Sequence, residues 1–98
     1  MNNVYAIYDS CSGIFGDPFI AVNDAVAKRS FEYSLSDPSI PKYIRDDSVL
    51  YGIGFFDKQT GYFSADDPPY VVFRGSHVVV RDVSLETSAD SEVNYNEE

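Results

Sequence analysis

Apolar and polar positions recur on two periods along this chain, and the change from one to the other marks out its elements. Val4–Asp9 sets Val4, Ala6 and Tyr8 against Tyr5 and Ile7. That period of two, rich in β-branched and aromatic groups, predicts a strand. Asp9-Ser10-Cys11-Ser12-Gly13 has turn chemistry. Ile14–Phe15 and Pro18–Val22 are predicted to return antiparallel, with a bulge or edge position at Gly16-Asp17-Pro18 to tolerate the proline. From Asn23 the period lengthens: Ala27, Phe31, Ser34 and Leu35 share one helical face, with Lys28, Arg29 and Glu32 on the other. Asn23 is a preferred N-cap, and Asp24 puts negative charge where the helix dipole favours it. The helix should stop before Pro38, since a residue preceding proline is pushed out of the α region. Ser36–Asp47 is then predicted as a connecting loop.

Ser48–Phe56 is the strongest strand, with Val49, Tyr51, Ile53 and Phe55 expected on one face. Gly52 and Gly54 are expected to let the Phe31 face of the helix approach the sheet closely. Asp57–Gly61 turns the chain and Tyr62–Ala65 returns. This turn shares the pattern aromatic-Asp-x-x-Ser/Thr-Gly-apolar-Phe with the first one, either as a repeat or as two uses of one turn chemistry, in which Asp accepts backbone hydrogen bonds and Gly takes a left-handed conformation. Asp66-Asp67-Pro68-Pro69 is predicted to break the strand. That leaves Tyr70–Phe73 and His77–Val83 for a last hairpin around Arg74-Gly75-Ser76. The expected fold is α+β: a small antiparallel sheet of two to three β-hairpins with one amphipathic helix packed on it, a ββαββ core within a single domain over residues 1–83.

Composition sharpens this outline. The 98 residues, 44% of them hydrophobic, suit one domain. Sixteen acids against seven bases give a net charge of −9, of which −6 falls on residues 82–98. A Ser/Asn/Glu-rich stretch with few large apolar groups cannot offset the entropy of ordering, so residues 84–98 are predicted to be an acidic, disordered tail. No apolar run approaches the roughly 20 residues of a membrane span, and Met1–Tyr8 lacks signal-peptide character. A cytoplasmic protein is expected, and a lone Cys11 agrees with a reducing compartment.

Candidate chemistry is sparse. One Cys and one His cannot build a zinc site, and Asp46-Asp47 and Asp66-Asp67 lack the spacing of a calcium loop. Cys11 and His77 could formally be nucleophile and base, but no oxyanion donor accompanies them. Gly52-Ile53-Gly54 lies inside a strand and not between strand and helix, as a phosphate loop would. No catalytic residue, metal or cofactor is expected. Single-stranded nucleic acid is held by stacking aromatics and basic side chains. The helix supplies Lys28 and Arg29 and the next loop Lys42 and Arg45 for phosphates, with Tyr33 and Tyr43 as stacking groups.

Asn3-Val4-Tyr5-Ala6-Ile7-Tyr8-Asp9, then Pro18-Phe19-Ile20-Ala21-Val22-Asn23-Asp24-Ala25 leading through Arg29 and Phe31 to Asp37-Pro38, then Leu50-Tyr51-Gly52-Ile53-Gly54-Phe55-Phe56-Asp57 with Thr60-Gly61, resemble the small nonstructural protein of gokushovirus-type microviruses, phages with single-stranded circular DNA. The resemblance spans residues 3–72. It implies a non-enzymatic accessory protein made in the infected bacterium's cytoplasm, assigned to genome synthesis or packaging and described as binding single-stranded DNA. The alternative is a protein–protein module, either a homo-oligomer formed through residues 70–83 or a partner of a phage or host replication protein.

Overall fold

The computed structural model describes residues 2–81, so the tail expected over 84–98 lies outside the described residues. The elements are β1 (Asn2–Asp9), β2 (Ile14–Phe15), β3 (Phe19–Ala21), α1 (Asp24–Leu35), α2 (Lys42–Asp47), β4 (Ser48–Phe56), β5 (Phe63–Arg74) and a short 3-10 turn, Gly75–His77. The strands form one antiparallel sheet in the order β2-β1-β4-β5, with β3 also paired to β1. The expected α+β class is therefore correct.

Both tight turns have the expected chemistry. Asp9 accepts from the Cys11 N–H and the Ser12 hydroxyl at 2.9 and 3.1 Å. Asp57 accepts from the Gln59 N–H at 2.9 Å. Gly13 and Gly61 close the two turns at φ 74° and 77°, each donating its N–H to the carbonyl of its Asp at 2.8 Å.

α1 begins as the sequence indicates: the Asn23 side chain accepts from the Val26 N–H at 2.9 Å. Ala27, Phe31 and Leu35 are buried against Tyr5, Leu50 and Val78. Ser34, expected on the same face, is instead exposed, and its hydroxyl donates to the Ser30 carbonyl.

Three expectations are corrected. The stretch Ser36–Asp47 is not all loop, because Lys42–Asp47 forms α2. Pro41 stands just ahead of the first helical residue, where its missing N–H removes no intrahelical bond. The last hairpin does not form. β5 continues through Asp66–Pro69, which bulges out opposite Ile53 before pairing resumes at Tyr70 and Gly52. β5 is the outermost strand, so its prolines remove no ladder bond on the open side. The chain then turns through Gly75–His77, buries Val78 in the core and ties the Arg81 N–H to the Ser36 carbonyl at 2.9 Å.

The third correction concerns β4. Its register shifts between Gly52 and Gly54, so the expected single face of Val49, Tyr51, Ile53 and Phe55 is broken. Phe55 pairs with Asn3, whereas Phe56 pairs with Asn2 and Phe63. The glycines serve the neighbouring strand and not the helix: a Cβ on Gly52 would run into the Tyr70 ring, and one on Gly54 into the Phe63 ring. The valine branches of Gly52→Val would displace Tyr70, a form of overpacking that costs about 1–3 kcal/mol. Urea denaturation should show that loss, while Lys58→Ala on the exposed turn leaves the midpoint unchanged.

Candidate nucleic-acid interface

The six residues singled out from sequence lie on the two helices. On α1, Lys28 was expected on the solvent face but is half-buried, with its ammonium 4.5 Å from the centre of the Phe73 ring. Phe73 is itself packed edge-on against Phe31, so the Lys28 stem covers the rim of the core while its charge rests on an aromatic face. Arg29 is exposed and makes no ion pair or hydrogen bond among the described residues. Tyr33, one helical turn on, is 70% exposed. The Arg81 guanidinium lies 4.5 Å from the centre of its ring.

The α2 residues are more engaged. Lys42 pairs with Asp46 at 2.6 Å, an i, i+4 contact on an open surface that contributes little stability. Arg45 donates to the Ile40 carbonyl at 2.9 Å and so fastens the loop ahead of its own helix. Tyr43 is exposed beside a hollow of about 280 Å³ that Asp9 and Asp47 also line. Two carboxylates there oppose phosphate. Among the described residues, no stacking contact or hydrogen bond joins the α2 residues to those of α1, and the cation-and-aromatic contacts are Lys28 with Phe73 and Arg81 with Tyr33, with Arg29 beside them on α1.

Phe73 and Arg81 were missed from sequence because each acts on α1 from a distant segment. The signal available was the absence of an acid from Tyr70–Arg81. The local electrostatics include two nearby carboxylates, of which Glu32 stands three and four residues along α1 from Arg29 and Lys28. The Ser39 N–H and hydroxyl, with Arg81 adding its charge, hold Asp37 below its ordinary range.

A second polar group fixes the start of α1. One carboxylate oxygen of Asp24 accepts from the Tyr5 hydroxyl at 2.6 Å and the Tyr70 hydroxyl at 3.0 Å. Asn3 donates to the Tyr5 oxygen at 3.3 Å. Burial, and then the hydrogen bond to Asp24, push both phenols up to about 12. No group of three or more His, Cys, Asp or Glu side chains among the described residues could hold a metal ion. No helix among them is long and apolar enough to cross a membrane.

Residues 2–78 match the family model of the phage ORF5 protein. The chain belongs to that family. The matched span contains the whole sheet, both helices and the last core residue, Val78. No curated protein and no solved structure matches the chain. Within this ORF5 protein, Lys28, Arg29, Tyr33 and Phe73 fall inside the matched span, and Arg81 lies beyond it.

The raised phenols give a pH dependence with a definite sign. Their ionised form is disfavoured in the fold, so their contribution is complete below the ordinary value of 10 and disappears as pH rises from 10 to 12. Followed by tyrosinate absorbance, two of the eight tyrosines should titrate late, with stability falling over the same interval. Asp24→Asn should move both phenols back toward the ordinary value. Ionisation of Tyr5 and Tyr70 at the ordinary value would contradict the geometry.

Proposed function

We propose that this phage protein is a non-enzymatic accessory factor that binds single-stranded DNA during genome synthesis or packaging in the cytoplasm of the infected bacterium. This is the role implied by its resemblance to the small nonstructural proteins of gokushovirus-type microviruses. One observation carries the reading: the Arg81 guanidinium over the largely exposed Tyr33 ring, with Arg29 one turn away on α1. A base stacks on the open side of such a ring while the flanking cations meet the phosphates before and after it. Lys28 over Phe73 adds a further cation on the side of α1 that meets β5. Lys42, Tyr43 and Arg45 on α2 are assigned to the outer part of the same strand path, reached once the bound phosphates compete with Asp46 for Lys42.

A second reading, self-association through residues 70–83 or engagement of a replication protein, is favoured by Val79, which is 83% exposed directly after the buried Val78. Val79→Asp would abolish association of that kind.

The DNA reading is tested by titrating a labelled single-stranded oligonucleotide at two salt concentrations. Binding should weaken as salt rises, because cations on the protein displace condensed counterions. Tyr33→Ala should weaken it about tenfold, in the range of a lost base stack, and Arg29→Gln should reduce the salt dependence. Absence of binding at low salt, or binding indifferent to salt, would overturn the assignment.

A further inference from the structure

The face of the sheet opposite α1 is mostly apolar, with Asn2 and Arg74 as its polar residues at opposite ends. Antiparallel partners share a side, so the register places Val4, Ala6 and Tyr8 of β1 on this face with Phe15, Ile20 and Tyr51. Val71 joins them through Tyr51, and Phe63 through Phe56. Phe15, Ile20, Phe63 and Val71 are each 40–46% exposed. Of the residues that the register puts here, only Arg74, opposite Val49 at one end, carries a charge.

The two ends of the face differ. Near the start of β1 lies a hollow of about 560 Å³ bordered by Val4, Pro18, Ile20, Ile53, Phe56 and Phe63, with Phe19 at its side. At the other end Tyr8, Phe15 and Tyr51 form a group of mutually packed rings with centroids 4.8–5.9 Å apart. Val4 and Tyr8 are four residues apart on one strand, so hollow and rings are separated by roughly 13 Å.

We propose that this face is the interface between two copies of the chain. A two-fold axis through its middle sets the aromatic group of each copy over the hollow of the other. The contact is then isologous and closes at two. Three observations select a second copy over other occupants. Four hydrogen-bonded strands about 4.8 Å apart and an eight-residue β1 rising about 3.3 Å per residue give each copy a footprint of roughly 500 Å². Two such footprints reach the approximately 1,000 Å² that a specific interface requires. Among the described residues, the register puts no Asp or Glu on this face, so two copies meet here without bringing those acids together. Phosphates would find one cation, Arg74, which leaves nucleic acid without its main source of affinity. Association through the sheet edges is blocked, because β5 presents Asp66, Asp67, Pro68 and Pro69 and the other edge strands span two and three residues.

The test uses the full chain in sedimentation equilibrium over a range of concentrations. Twice the chain mass is expected for the native protein and for Val22→Glu, whose exposed side chain lies outside the paired strands. A single chain mass is expected for Ile20→Glu. Circular dichroism must show the same folded signal for both variants. In a mixed sample of isotopically labelled and unlabelled chains, contacts between the Phe15 ring of one copy and the Ile53 methyls of the other should appear. A native chain that remains monomeric, with residues 82–98 or an added oligonucleotide perturbing the Ile20 and Ile53 signals, would overturn the proposal. A dimer undisturbed by Ile20→Glu would overturn it as well.

Discussion

The fold turns on a single carboxylate oxygen. Asp24 Oδ1 receives the hydroxyls of Tyr5 on β1 and Tyr70 on β5, two strands that are not neighbours. Between them in register stands Gly52 of β4, and the missing side chain there lets the Tyr70 ring lie across the strand and reach the helix. A larger residue would push the Tyr70 ring aside and so break its hydrogen bond to Asp24 at the point where the helix begins. With that point fixed and Asn23 capping the first turn, the burial of Ala27, Phe31 and Leu35 at intervals of four follows from helical geometry. Phe31 then reaches Phe73, and Lys28 covers the outer side of the same ring. The core and the cation-bearing surface share one origin.

Local rules were legible in the sequence wherever the cause lay within a few residues. The N-cap at Asn23, both Asp-to-Gly turns and the paired strands β1 and β4 needed only short-range chemistry. The departures come from contacts that are distant in the chain. Pro68 and Pro69 predict the end of a strand, yet β5 runs past them because its outer side faces no other strand. Pro41 predicts a loop, yet it precedes α2 without removing a bond. For the site, Arg29 and Tyr33 were legible as neighbours on one helix. That Phe73 and Arg81 complete the group depends on where the chain goes after β5, which no local pattern encodes.

One legible signal carried more than the strand itself. In Val4–Asp9 neither alternating set is polar: Tyr5 and Ile7 face the helix, while Val4, Ala6 and Tyr8 face away from it. An antiparallel strand with one wet face alternates with polar residues. A helix of 12 residues, about 18 Å long, can lie on only one side of the sheet. The second apolar set is the surface proposed above as the contact between two copies.

The two surfaces stand in different relation to the family. Every strand residue of the apolar face falls within residues 2–78, the span matched to the phage ORF5 family, whereas Arg81 lies three positions beyond it. The apolar face thus lies within the matched span, and the stacked cation over Tyr33 comes from outside it. The two surfaces are also physically compatible. One is apolar but for Asn2 and Arg74 at its ends and lies on the strands, the other is cationic and lies on the opposite helix, so occupation of either leaves the other accessible. A dimer joined through its sheets would carry two copies of α1 pointing outward. Each single-strand contact would then be doubled on one particle, with the second engaged at an effective concentration set by the assembly and not by diffusion.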